Sequence, residues 1–136
     1  MATHDVTTGS SAQPWNAHEA VSIMTFSYDA AAHGGVSGDD YKVLDIPQGA
    51  VILTIEVNSV GGADVGDTVS MGTSAGGTNI LNAETVGATV TATQLTFTSN
   101  ILMGAGEGLW IRPGATLTAA TVTGKVVVAY TNLYTP

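Results

Sequence analysis

Cysteine is absent from the 136-residue chain. Disulfides, thiolate nucleophiles, cysteine-ligated zinc and iron–sulfur clusters are therefore excluded. Charge is scarce: 10% of the residues are Asp, Glu, Lys or Arg, against about 25% in an ordinary soluble domain. Bases are scarcest of all, since Lys42, Lys125 and Arg112 stand against eleven acids for a net charge of −8. A duplex-DNA binder has to neutralise several phosphates with Lys and Arg, and three dispersed bases form no such stripe, so no nucleic-acid partner is expected. An anionic membrane surface would repel the chain too. No apolar run approaches the roughly 20 residues of a spanning helix, since Val51 to Leu53 and Val126 to Ala129 are among the longest. The first residues, MATHDVTTGSSAQP, lack the basic and apolar regions of a signal peptide. A product made in the cytoplasm and soluble there is the expectation.

What is present is Thr, Ser, Ala, Val and seventeen Gly. The hydrophobic share of 44% is ordinary, which argues against disorder. The length suits one domain that buries roughly two-thirds of its unfolded surface without a metal or disulfide. Residues 1–18 carry no period of 2 or 3.6 and read as a flexible arm, leaving 19–136 as a single domain. Trp15 is the odd residue of that arm, either docked on its own domain or anchored on a neighbouring subunit.

From Val21 the period becomes 2. Met24, Phe26 and Tyr28 share one face and Val21, Ile23 and Thr25 the other. Further strands are predicted over Tyr41 to Ile46, Val51 to Val60, Thr68 to Thr73, Gln94 to Ser99, Leu109 to Arg112, Ala115 to Thr118 and Val122 to Leu133, with Gly and Pro between them. The segments at 79–83 and 85–93 are short or ambiguous. Strict alternation places Leu53, Ile55, Val57, Val126 and Val128 in the core. No window of a dozen residues has a helical period. Short, punctuated, β-branched strands at this spacing predict an all-β fold: a β-sandwich, as a jelly roll of eight strands in two sheets, preceded by the irregular arm.

No set of residues spells a reaction. His4, His18 and His33 lie in the arm and a Gly-rich loop, with no metal-motif spacing among them, and read as solvated side chains. No G-x-S-x-G elbow is present. Asp39, Asp40, Asp64 and Asp67 are loop acids. Three readings stay open for them: solvated turn acids, oxygen ligands for calcium, or a catalytic carboxylate pair. The loop with Gly104, Gly106 and Gly108 lacks the Lys and the helix of a phosphate-binding loop. Trp110, beside Arg112, is a core or subunit contact, or a platform for a sugar. No enzyme, no cofactor and no required metal is expected.

Three segments carry a resemblance. VLDIPQGAVILTIEV at 43–57 is a strand, a Pro-Gly turn and a long alternating strand; VGDTVSMGTS follows at 65–74; TGKVVVAYTNL closes the chain at 123–133. Together they resemble small β-sandwich structural proteins of tailed bacteriophage virions, of the capsid decoration (cement) or head-fibre type, over roughly residues 41–133. The resemblance implies a homotrimer on the outer capsid surface that binds the major capsid protein and braces neighbouring shell subunits. The arm has no counterpart in it. Trp15, Trp110 and Arg112 are the partner-contact candidates. A receptor- or glycan-binding module of a phage fibre is the alternative.

Overall fold

The computed structural model describes residues 2–7, 19–87, 91–95, 101–104 and 107–131. Ten strands are assigned among them: β1 (Thr3–Asp5), β2 (Glu19–Asp29), β3 (Asp40–Asp45), β4 (Val51–Val60), β5 (Thr68–Gly72), β6 (Leu81–Thr85), β7 (Thr91–Leu95), β8 (Ile101–Leu102), β9 (Gly108–Pro113) and β10 (Thr121–Thr131). A front sheet runs β1-β3-β9-β5-β6 and a back sheet runs β2-β10-β4-β7, with β8 also on β4. The all-β sandwich expected from the alternation is what forms. Every pairing is antiparallel except β1 on β3. From β1 to β5 the chain passes to the other sheet at every strand, and it does so again from β6 to β7 and from β8 through β10, while β5 and β6 pair within the front sheet and β7 and β8 both lie on β4.

The core lies between the sheets. From the back come Met24, Phe26 and Tyr28 of β2, Ile52, Ile55 and Val57 of β4, and Val122, Val126 and Val128 of β10. The front supplies Tyr41, Val43 and Leu44 of β3, Leu109 and Ile111 of β9, and Val69 and Met71 of β5. Gly124 stands between Phe26 and Val57 in register. A Cβ there would meet the Glu56 carbonyl oxygen first and lie 2.6 Å from the Phe26 ring, so the glycine makes room for both the neighbouring strand and the ring.

Several expectations are corrected. Leu53 is only half-buried, while Ile52 is fully buried. The cause is a β-bulge: Val127 pairs with Thr54 and Val128 with Ile52, so Leu53 is an extra residue without an opposite number. One inserted residue reverses the inward face of a strand. Ile55, Val57, Val126 and Val128 are buried as expected.

Residues 115–118 form no strand and serve as the bend between β9 and β10. The segment after β2 opens with a four-residue helix α1 (Ala30–His33), capped by the Asp29 side chain. The start of the arm is not irregular, because residues 3–5 pair with β3. The strand expected at 94–99 is seen through Leu95, and its remainder lies outside the described residues.

Candidate interaction surfaces

Three groups of polar side chains organise the surface. The first is on the outer face of the front sheet. Alternation along β3 and β9 turns Asp40, Lys42, Trp110 and Arg112 away from the core residues Tyr41, Leu109 and Ile111. The guanidinium of Arg112 grips Asp40 with both prongs, Nε to Oδ1 at 2.8 Å and Nη2 to Oδ2 at 2.7 Å. The Gly76 amide donates to the same Oδ1 at 2.9 Å, which folds the β5–β6 loop back over the sheet. Hydrogen bonding to Asp40 raises the pKa of Arg112, against the opposing effect of burial. Asp40 is 1% exposed, and removing one partner of so enclosed a pair leaves the other charge uncompensated. Arg112 thus braces three elements of its own chain.

Lys42 lies 6.0 Å from the Trp110 ring centre and pairs with the exposed Asp45 at 2.5 Å. Trp110 is half-buried, and its Nε1 is enclosed with no hydrogen-bond acceptor. Trp15 lies outside the described residues. The structure therefore brings Trp110 and Arg112 onto one face, with the Trp ring partly open and the Arg committed to Asp40.

The second group anchors the N-terminal strand. His4 Nε2 and Asp39 Oδ2 are 2.9 Å apart. The imidazole stacks on Tyr41, with ring centres 4.6 Å apart and planes 11° apart. The Ala2 amide donates to Asp39 Oδ1 at 3.0 Å. That amide bond first, and the His4 bond second, outweigh partial burial and hold Asp39 below the usual carboxylate range. His4, expected to be solvated, is engaged. His33 is engaged too, accepting at Nδ1 from the Asp29 amide at 3.2 Å. His18 lies outside the described residues.

The third group is a buried clamp that sequence reasoning passed over. Asp64, in the 3-10 turn Gly62–Asp64, is 4% exposed. Its carboxylate accepts from the amides of Thr118, at 2.9 Å to both oxygens, Ala119 at 2.6 Å and Ala120 at 2.6 Å, and from the Thr118 hydroxyl at 3.1 Å. Burial alone would raise its pKa, but these donors more than compensate and the net shift is downward. The carboxylate pins the β9–β10 bend to the β4–β5 turn. The Leu117 amide, donating to Gly35 O at 2.8 Å, ties in the β2–β3 loop. Three loops at one end of the sandwich are thereby held together, and Val36 and Val65 stand exposed there.

Of the loop acids Asp39, Asp40, Asp64 and Asp67, open in the sequence as solvated turn acids, calcium ligands or a catalytic pair, the first three are not merely solvated but take donors from their own chain, with Asp64 apart from the other two. Among the described residues no three His, Asp or Glu side chains converge, and no helix is long and apolar enough to cross a membrane.

No family model matches the chain, and no curated protein matches it. Solved structures do. A chain of the cyanophage Pam1 capsid asymmetric unit superposes with a TM-score of 0.60 at 19% identity, over 87% of this chain and 89% of that one. A chain of the capsid of Ralstonia phage GP4 superposes with a TM-score of 0.64 at 14% identity, over 96% of this chain and 98% of that one. Almost end to end, the chain shares its fold with components of two bacteriophage capsid assemblies.

Proposed function

We propose that this chain is a virion structural protein, and within that class a capsid decoration protein. On this reading it sits on the outer shell, contacts the major capsid protein and acts as a homotrimer. The observation that carries the proposal is the match of fold along nearly the whole length of both chains to two phage capsid components. The interleaved orders 2-10-4-7 and 3-9-5-6 are read here as a jelly roll with an N-terminal strand added to its front edge.

The internal bonding supports a mechanical role. Asp40, Asp64 and Arg112 are spent on bracing loops, so the surface those loops present is pre-organised and loses little entropy on docking. Exposed Val, Ala and Thr side chains likewise lose few rotamers on contact. Binding of such a protein only to the assembled shell stabilises the shell by mass action, about 2.7 kcal/mol per site at a hundredfold excess over Kd. A place on the capsid surface, after synthesis in the host cytoplasm, follows from this reading.

The test is co-sedimentation of purified protein with capsids that lack it, beside parallel binding to host cells and a glycan array. Saturable capsid binding supports the proposal. Binding to cells or glycans with none to capsids defeats it in favour of a fibre module, for which the partly open Trp110 ring would be the sugar platform.

A further inference from the structure

The outer face of the back sheet departs from the rest of the surface. Alternation along β2 that buries Met24, Phe26 and Tyr28 turns Val21 and Ile23 outward, where they are 67% and 51% exposed. Ile23 is opposite Val127 of β10, and Val127 is opposite the β4 bulge. Val21, Ile23 and Val127 thus make an apolar strip crossing two strands. Contiguous exposed apolar surface of this kind marks an interaction site.

The charges beside the strip identify the occupant. Lys125 and Glu56 are register partners next to it, and both are exposed. Of the three bases in the chain, Lys42 and Arg112 are paired with Asp45 and Asp40 on the front sheet. Lys125 makes no salt bridge among the described residues. An exposed cation without such a bridge, beside an apolar strip, fits an acidic partner, and another copy of this chain is one, with a net charge of −8. A second copy rotated onto the face offers its Glu56 to Lys125 and its own strip to the strip. Elsewhere the acid excess makes copies repel.

The size also fits. Strands β2, β10 and β4, with 11, 11 and 10 residues, and β7, with 5, at about 3.4 Å per residue and about 4.8 Å apart, give a face of roughly 600 Å², at the low end of the roughly 600–1,000 Å² per partner of a standard interface. We infer that the outer face of the back sheet, centred on Ile23 and flanked by Lys125 and Glu56, is the surface through which copies of this chain associate. A contact of strip on strip, with Lys125 and Glu56 exchanged in both directions, is two-fold and pairs copies; it does not close the trimer proposed above, and it rests on that proposal only for self-association.

The experiment is sedimentation velocity on the full-length protein at micromolar concentration, with Ile23→Asp, Lys125→Glu, Glu56→Lys and the Lys125→Glu/Glu56→Lys double variant. Circular dichroism and melting first establish that each variant is folded. Wild type should sediment as an oligomer. Ile23→Asp should weaken association by at least roughly tenfold, as expected of a central interface residue. Each charge variant should weaken it less, and the double variant should recover most of the loss, because the exchanged pair is again complementary. A monomeric wild type overturns the inference, as does an oligomer that neither Ile23→Asp nor Lys125→Glu disturbs. Capsid binding is scored separately. A wild type that associates through this face and ignores capsids keeps the interface and removes the virion reading.

Discussion

The Asp64 clamp yields the most quantitative prediction. Asp64→Asn keeps the shape of the side chain and one carbonyl oxygen. If that oxygen takes the place of Oδ1, the bonds from Thr118 survive. The new amide then occupies the place of Oδ2 and presents N–H groups to the amides of Ala119 and Ala120, which now both donate at 2.6 Å. Flipping the amide only changes which donors are left unsatisfied. Two enclosed backbone donors lose their acceptor, at about 1–3 kcal/mol each, so the variant should be less stable by about 2–6 kcal/mol at pH 7.

The pH dependence has a definite sign. A carboxylate whose folded pKa lies below its unfolded value near 3.8 contributes stability that is fully present above that value and lost as pH falls through the lower, folded one. The stability gap between wild type and Asp64→Asn should therefore be constant from pH 7 to about 5 and narrow below about 4. Asp39 and Asp5 are also shifted downward and titrate in the same window, but they are common to both proteins and cancel in the difference. Urea unfolding followed by far-ultraviolet circular dichroism at several pH values measures it. A loss below about 0.5 kcal/mol, the level of an ordinary surface substitution, or a gap that does not narrow in acid, would refute the account of the clamp.

Other outcomes follow from the same structure. Ile55→Ala should cost about 2–5 kcal/mol, as a fully buried aliphatic, while Leu53→Ala should cost clearly less; equal losses in denaturant titrations would refute the bulge assignment. Gly124→Ala should destabilise by about 1–3 kcal/mol through overpacking against the Glu56 carbonyl oxygen and the Phe26 ring, read as a lowered melting temperature. His4→Ala should speed hydrogen exchange at the Asp40 and Val6 amides, which bond to Ala2 O and Lys42 O, with little change in global stability, because β1 is a short edge strand.

The strand content was legible in the sequence because period-2 alternation survives wherever one face of a strand is buried. Met24, Phe26 and Tyr28, with Val126 and Val128, were readable for that reason. Leu53 was misread because a bulge leaves no mark in a run of Val, Ile and Leu, all of which suit either face. The 115–118 segment was misread because Ala, Thr and Leu are β-compatible, and what bends them is a carboxylate more than fifty positions away in sequence. Nothing local marks Asp64 as buried, since an Asp after Gly and Ala looks like any turn acid. One signal was available: a chain this poor in charge has few acids to spend, and each is a candidate for internal work. His4 was missed for a similar reason, as its partners Asp39 and Tyr41 come from another element. Trp110 and Arg112 were readable as neighbours on one strand face, but the commitment of Arg112 to Asp40 depends on β3 pairing with β9.

The central claim is that this chain reinforces a phage shell. It is tested most directly by heating capsids packed with genome, with and without saturating protein, and following DNA release by dye fluorescence. The account predicts that release moves to a higher temperature in proportion to occupancy and returns to the undecorated value when the protein is stripped off. Saturated particles that release DNA at the undecorated temperature would contradict it.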